Sequence, residues 1–87
     1  MNGKPNKYSN KTASALIKTG QGVLVSMYVN STSAWTIKLW DSTAASGTVI
    51  NETITPAIGW HFLGNASFTP GLYATIGGTL NVTLYYE

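Results

Sequence analysis

Apolar and polar residues alternate along most of the chain, which is the pattern of β-strands with one buried face. The alternation is clearest in Trp35–Leu39, Leu72–Ile76 and Leu80–Leu84, where every second residue is apolar. No segment repeats its apolar residues with the 3.6-residue period of an amphipathic helix. The pattern predicts seven strands with spacings of about ten residues. They are Ala13–Thr19, Val23–Asn30, Ala34–Trp40, Thr48–Ile54, Gly59–Leu63, Leu72–Ile76 and Thr79–Tyr86.

Residues typical of turns separate these strands, including Gly20–Gly22, Asn30–Ser33, Asp41–Gly47 and Pro70–Gly71. One-sided alternation indicates antiparallel sheets, and two such sheets face to face form a sandwich. The prediction is therefore an all-β fold, a small antiparallel β-sandwich that is either Ig-like or jelly-roll-like. The spacings fit both connections and also a simpler meander. The predicted core contains Trp35, Ile37, Leu39, Leu72, Ala74, Ile76, Leu80, Val82 and Leu84.

Two adjacent glycines, Gly77 and Gly78, lie between two alternating segments. A phosphate-binding glycine loop needs a following helix whose N-terminal N–H groups point at the anion. Here a predicted strand follows instead. Two residues that readily take a positive φ suit a type I′ turn, so the sequence predicts a tight hairpin at Gly77–Gly78.

The first eleven residues differ from the rest, because they contain three lysines, three asparagines and a proline but almost no large apolar side chain. Such a segment buries too little apolar surface to order itself. We expect residues 1–11 to form a flexible basic N-terminal arm and residues 12–87 to form the sandwich domain.

Composition limits the functions to consider. The chain has 87 residues and a net charge of +2, and all five of its cationic residues are lysines, which does not favour nucleic-acid binding. It has no cysteine, so no disulfide supports the small core, and association into a homo-oligomer is the expected substitute. Neither a signal-peptide pattern nor an apolar stretch long enough for a membrane span is found, so we expect synthesis in a host cytoplasm without membrane association.

The candidate chemistry is sparse. His61 is the only candidate for a general base, and Asp41, Glu52 and Glu87 have no recognisable spacing to it. Metal sites generally need several ligands of this kind, and no nucleophile elbow of the form G-x-S-x-G is present. We therefore expect no catalytic, metal-binding or cofactor-binding residues, and a protein that is not an enzyme.

Aromatic side chains are the better candidates for contact with a partner. Trp40 alternates with the predicted core residues of its strand, Trp60 begins a strand, and Tyr85 lies opposite Leu84. Trp40 and Trp60 fit either a contact surface or the core. The arm adds further candidates, although a basic terminus is often only solvated. The predicted partner-binding residues are Lys4, Lys7, Tyr8, Lys11, Trp40, Trp60 and Tyr85.

Two segments carry a resemblance to a known family: LWDSTAASG at Leu39–Gly47 and GLYATIGGTLNVTLYY at Gly71–Tyr86. They resemble a family of short proteins encoded by tailed phages and marine viruses, and the likeness extends over about Gly22–Glu87. The resemblance implies a compact β-domain present in many copies on a virion, in the manner of a capsid decoration (cement) protein. It brings no catalytic residues, and it does not cover the arm.

The expected function is accordingly that of a non-enzymatic virion structural protein. It would bind the major capsid protein on the outside of the head, as a homo-oligomer such as a trimer, and stabilise the shell, with the arm lying across a neighbouring subunit. One alternative is a carbohydrate- or receptor-binding domain of a head fibre or tail tip that uses Trp40, Trp60 and Tyr85 as a stacking platform. A tail-tube or head-completion subunit is a further alternative.

Overall fold

The fold comes from a computed structural model, which describes the backbone of residues 7–87 and the side chains of that range apart from residues 32–35 and 79. It consists of antiparallel β-strands joined by short turns. Six continuous strands form it: β1 (Lys7–Lys11), β2 (Ala15–Thr19), β3 (Gly22–Asp41), β4 (Thr48–Ile54), β5 (Gly59–Phe68) and β6 (Gly71–Tyr86).

The long strands β3 and β6 pair along their whole length and pass through both layers of a sandwich. In sheet I the order is β1, the second half of β6, the first half of β3, then β5. In sheet II it is β2, the first half of β6, the second half of β3, then β4. When the two halves of β3 and the two halves of β6 are counted as separate strands, the chain has eight strands. Numbered in chain order, they follow the order 1-8-3-6 in sheet I and 2-7-4-5 in sheet II. This is the strand order of a jelly roll.

The predicted β-sandwich is confirmed, but its two sheets contain eight strands in total rather than seven. Four of the eight are the halves of the continuous strands β3 and β6. The predicted turn at Asn30–Ser33 is wrong, because β3 continues through it. Strand β5 also extends beyond its predicted end at Leu63 to Phe68. Both errors concern segments rich in small polar residues, which suit a turn and equally suit a strand that bends.

The predicted hairpin at Gly77–Gly78 is also wrong. Strand β6 runs through both glycines as it leaves one sheet for the other, and Gly77 lies opposite Thr36 of β3. Gly78 has a φ of +83°, which a side chain would disfavour. The pairing register shifts between Val29 and Ser31 and again between Ser33 and Thr36, so β3 is bulged where the two strands bend together.

The core lies between the sheets and is entirely apolar among the described side chains. Of the nine predicted core residues, seven are fully buried and Ile76 packs partly buried against them, whereas the side chain of Trp35 lies outside the described set. The prediction omitted four further fully buried side chains, which are Leu24, Met27, Val29 and Phe68. Leu24 lies at a register shift of β3 and Phe68 lies beyond the predicted end of its strand, so periodicity did not mark these two positions, whereas Met27 and Val29 do alternate with Tyr28.

The predicted boundary between arm and domain is also corrected. Lys7–Lys11 form β1, which pairs antiparallel with β6 from Lys7 opposite Tyr86 to Lys11 opposite Val82. The chain therefore belongs to the sandwich from Lys7 onward, not from residue 12. Residues 1–6, including the predicted contact residue Lys4, lie outside the described residues. Within the described range, no helix is long and apolar enough to cross a membrane.

Candidate aromatic docking site

The outer surface of sheet I carries five aromatic side chains, which we call the aromatic face: Tyr8, Tyr28, Trp60, Phe62 and Tyr85. They share this surface because each alternates with a position whose side chain points toward the core side of the sheet. Tyr8 is 71% exposed, Trp60 64% and Phe62 73%. The face is formed by all four strands of the sheet, and three of its five rings are mostly exposed.

Four of the five rings, those of Tyr8, Tyr28, Trp60 and Tyr85, are in contact with one another rather than scattered. Trp60 has its ring centroid 4.9 Å from that of Tyr28 and 5.2 Å from that of Tyr85. Tyr8 lies opposite Tyr85 across the β1–β6 pair, with centroids 6.3 Å apart. These distances are those of favourable edge-to-face and tilted aromatic pairs. Trp60 therefore links an aromatic array that spans the sheet from β1 to β5.

A cluster of amide and hydroxyl groups borders the rings on the same surface. The side-chain amide nitrogen of Asn10 donates to Asn81 Oδ1 at 2.7 Å and to Thr83 Oγ1 at 3.1 Å. Asn30 Nδ2 donates to the same two oxygens, each at 3.2 Å. The cluster joins β1, β6 and β3 across their outer faces. It holds the strands of the aromatic face in register without any charged group.

The outward strand positions of sheet I that the structure describes hold no Lys, Asp or Glu. The predicted contact residues Lys7 and Lys11 are on β1, but they alternate with Tyr8 and so point to the opposite side of the sheet edge. Charged side chains on an edge strand, including inward-pointing ones, prevent unwanted pairing with other chains. This edge position gives Lys7 and Lys11 a structural role, while their predicted contact with a partner stays a prediction.

Trp40 lies apart from the aromatic face, on the outer surface of sheet II. It is half-buried, its indole Nε1 donates to Thr75 Oγ1 at 2.9 Å, and the Lys38 ammonium lies 4.4 Å from its ring centroid. Lys38 also lies 3.5 Å from a carboxylate oxygen of Glu52. The ring of Trp40 is thus engaged within its own sheet. A stacking platform made of Trp40, Trp60 and Tyr85 together is therefore wrong for this fold.

His61 points away from the aromatic face, because it lies opposite the buried Met27. Its Nε2 is 2.8 Å from the Ala57 carbonyl oxygen, a contact that fixes the ring locally. No group of three or more His, Asp or Glu side chains that could hold a metal ion occurs among the described residues. The expectation of a protein without catalytic activity stays a prediction.

The structure thus brings three of the seven predicted contact residues, Tyr8, Trp60 and Tyr85, onto one surface. It adds Tyr28 and Phe62, which were not among the predicted contact residues. The signal for Phe62 was its position two residues after Trp60 in one strand, which places both on one face. Tyr28 carried the same kind of signal, since it alternates with Met27 and Val29.

The chain matches no protein-family model, no curated protein and no solved structure. The resemblance to the phage protein family is not tested by these comparisons and stays a prediction.

Proposed function

We propose that the chain is a non-enzymatic virion structural protein, a capsid decoration protein that binds the major capsid protein through the aromatic face. The observation that carries this proposal is an uncharged sheet surface with five aromatic side chains, four of which contact one another and three of which are mostly exposed. Centres of protein interfaces are enriched in Tyr, Trp and Phe and depleted in charged residues. Contiguous exposed apolar surfaces commonly mark such interfaces.

The shape of the site favours a protein partner over a flat sugar chain. The ring planes of Tyr28 and Trp60 meet at 79°, those of Trp60 and Tyr85 at 40°, and those of Tyr8 and Tyr85 at 45°. A single flat ligand stacks on only one such ring at a time. A protein surface with its own relief can pack against all of them and bury the ring edges as well as the faces.

Binding of many copies would stabilise the shell by mass action, because the decoration protein would bind the assembled capsid and not free subunits of the major capsid protein. The jelly-roll sandwich suits this role, since its rigid sheet presents the aromatic side chains in fixed positions and little ordering is needed on binding. Lys4, Lys7 and Lys11 would add a salt-dependent contribution to association. The protein would act on the capsid surface of the virion.

Trp60→Ala is the variant that tests the proposal. Trp60 contacts both Tyr28 and Tyr85, so its removal takes away the centre of the array. Central aromatic residues in interfaces commonly contribute 2 kcal/mol or more, which corresponds to a loss of affinity of about 30-fold. The measurement is cosedimentation of the protein with shells of the encoding phage's major capsid protein, over a range of protein concentrations.

Leu16→Ala is the matched control, because Leu16 is an exposed apolar residue on the outer surface of sheet II. It should bind shells as the wild type does. Equal binding by the wild type and Trp60→Ala would refute docking through the aromatic face. Quantifying copies per particle by mass spectrometry distinguishes a decoration protein, with many copies, from a tail-tip, tail-tube or head-completion subunit, with few.

A second candidate function is binding of a neutral glycan, and the amide cluster favours it. Asn10, Asn30 and Thr83 lie beside exposed rings, a combination of hydrogen-bonding and stacking groups that suits sugars. A titration with neutral oligosaccharides, followed by tryptophan fluorescence, tests it with Trp60→Ala as the control. The capsid proposal expects no response to sugars. A saturable response that Trp60→Ala abolishes would support the glycan function instead.

A further inference from the structure

The four edge strands of the sandwich differ in their protection against pairing with another chain. Strand β1 carries Lys7 and Lys11, β2 carries Lys18 and β4 carries Glu52. Strand β5 has no Lys, Arg, Asp, Glu or Pro over its ten residues. Charged residues and proline are the usual means by which edge strands avoid association. Among the described edges, β5 is therefore the one open to pairing.

The part of β5 that can pair is short and well defined. From Gly59 to Phe62 it pairs with β3 without a register shift. Gly64 and Asn65 then have φ values of +78° and +55°, and the register with β3 shifts between Phe62 and Ala66. Such a bulge ends regular pairing. The strand segment before this bulge is Gly59–Leu63, of which Gly59–Phe62 pair with β3 and Gly59 itself has a φ of +123°. Its central residue is His61.

We propose that Gly59–Leu63 of β5 pairs antiparallel with the same segment of a second copy of this chain, around a two-fold axis at His61. This inference does not depend on the proposed function. This register places Trp60 opposite Phe62 and Gly59 opposite Leu63, and it joins two copies of sheet I into one continuous eight-stranded sheet. It makes the contact self-complementary, as a two-fold interface must be.

A second copy of the chain is the expected partner of the β5 edge, because the residues that it places opposite each other are compatible in charge and in side-chain type. Around this axis Trp60 of one copy lies opposite Phe62 of the other, an aromatic cross-strand pair that stabilises a sheet. No charged residues are brought opposite each other. The same operation on β1, centred at Ser9, would place Lys7 opposite Lys11, which is unfavourable. Trp60 and Phe62 are also highly exposed in the single chain, so pairing would cover surface that is now open.

The pairing also extends the aromatic face, since the two copies would present their exposed rings side by side on one sheet. A chain of this length buries a smaller fraction of its surface than a larger domain does, so the added burial stabilises the fold as well. The expected assembly is a dimer rather than the trimer anticipated above.

The absence of cysteine from the chain allows a direct test by cross-linking. Directly opposed residues in antiparallel strands have Cα atoms about 4.5–5.5 Å apart, within the range that a disulfide bridges. His61→Cys is therefore expected to form a disulfide-linked dimer on mild oxidation, visible on a non-reducing gel. Thr53→Cys, an exposed position on the edge strand β4, is the control and is expected to stay monomeric on the gel.

A second variant, His61→Lys, places two like charges opposite each other at the axis and is expected to weaken dimerisation at least tenfold, whereas Thr53→Lys does not. Sedimentation equilibrium of the wild type and both lysine variants, without capsids, measures this, and thermal unfolding shows that the variants are folded. A wild type that is monomeric or trimeric at all concentrations, or cross-linking of Thr53→Cys as efficient as that of His61→Cys, would overturn the proposal. The wild-type mass decides the question even if a His61 variant does not fold.

Discussion

Replacing Phe68 with alanine is expected to lower the free energy of unfolding by about 3–5 kcal/mol. Phe68 is 1% exposed and is among the largest fully buried side chains of the core. Its removal loses the transfer free energy of the ring and leaves a cavity between the sheets. A domain of this length has a total stability of only about 4–13 kcal/mol. The loss is therefore a large share of the total stability of the domain.

Phe62→Ala is the matched control, because Phe62 and Phe68 are the two phenylalanines of the chain and both lie in β5. Phe62 is 73% exposed, so its loss should change stability by no more than about 0.5 kcal/mol. Urea denaturation followed by tryptophan fluorescence measures both, at protein concentrations low enough that the chain is monomeric, so that the proposed dimer contact of Phe62 does not contribute. Equal losses of stability in the two variants would contradict the placement of Phe68 in the core and of Phe62 on the surface.

Gly77→Ala is expected to destabilise the fold by about 1–3 kcal/mol, the usual cost of forcing extra volume into a packed site. A Cβ at this position would lie 2.8 Å from Thr36 Oγ1, closer than real Cβ contacts allow. Thr36 is the residue directly opposite Gly77 on β3. The clash arises only because β6 continues through Gly77 alongside β3 at the point where both strands change sheets.

The double variant Thr36→Ala/Gly77→Ala provides the decisive comparison. Removing Oγ1 takes away the atom that the new methyl group meets, so the double variant should be more stable than the sum of the single changes predicts, by about 1 kcal/mol or more. Chemical denaturation of the four proteins of the cycle gives this coupling energy. If the two effects were simply additive, Gly77 would not oppose Thr36, and a hairpin turn at Gly77–Gly78 would regain support.

The local pattern predicted the strands well because alternation records which side of a strand is buried. Ile37 and Leu39, and likewise Val82 and Leu84, are buried as their spacing required. The pattern did not identify Leu24, which lies next to a bulge where the two-residue period is interrupted, or Phe68, which lies beyond the predicted strand end at Leu63. A bulge depends on the partner strand, and the partner is not visible in the local sequence.

The hairpin error has the same origin. A pair of glycines lowers the cost of a positive φ, and both a tight turn and a sharply bent strand use that freedom. Gly78 does have a positive φ, so the conformational preference was correctly identified. Its role was decided by β3, which pairs with β6 on both sides of the bend. Only the long-range pairing distinguishes a strand that changes sheets from a chain that turns back.

The candidate site, too, could be predicted only in part from the sequence. Alternation showed that Trp60 and Tyr85 were candidates for a surface, but it could not tell which outward-facing residues of different strands are neighbours. Tyr8 and Tyr85 lie 77 positions apart in the chain and face each other across β1 and β6. Trp40 also has an outward-facing position in the alternation, but it lies on sheet II, away from the aromatic face.

The sequence by itself determined that this chain is built of antiparallel strands with one apolar side, that its core is small and free of cysteine, and that aromatic residues occupy outward positions. These properties follow from side-chain periodicity and composition, which are local. The tertiary structure alone decided the jelly-roll order, the continuity of β3 and β6 and the assembly of the aromatic face. Those depend on which strands pair, and pairing is set by the packing of the whole chain around one core.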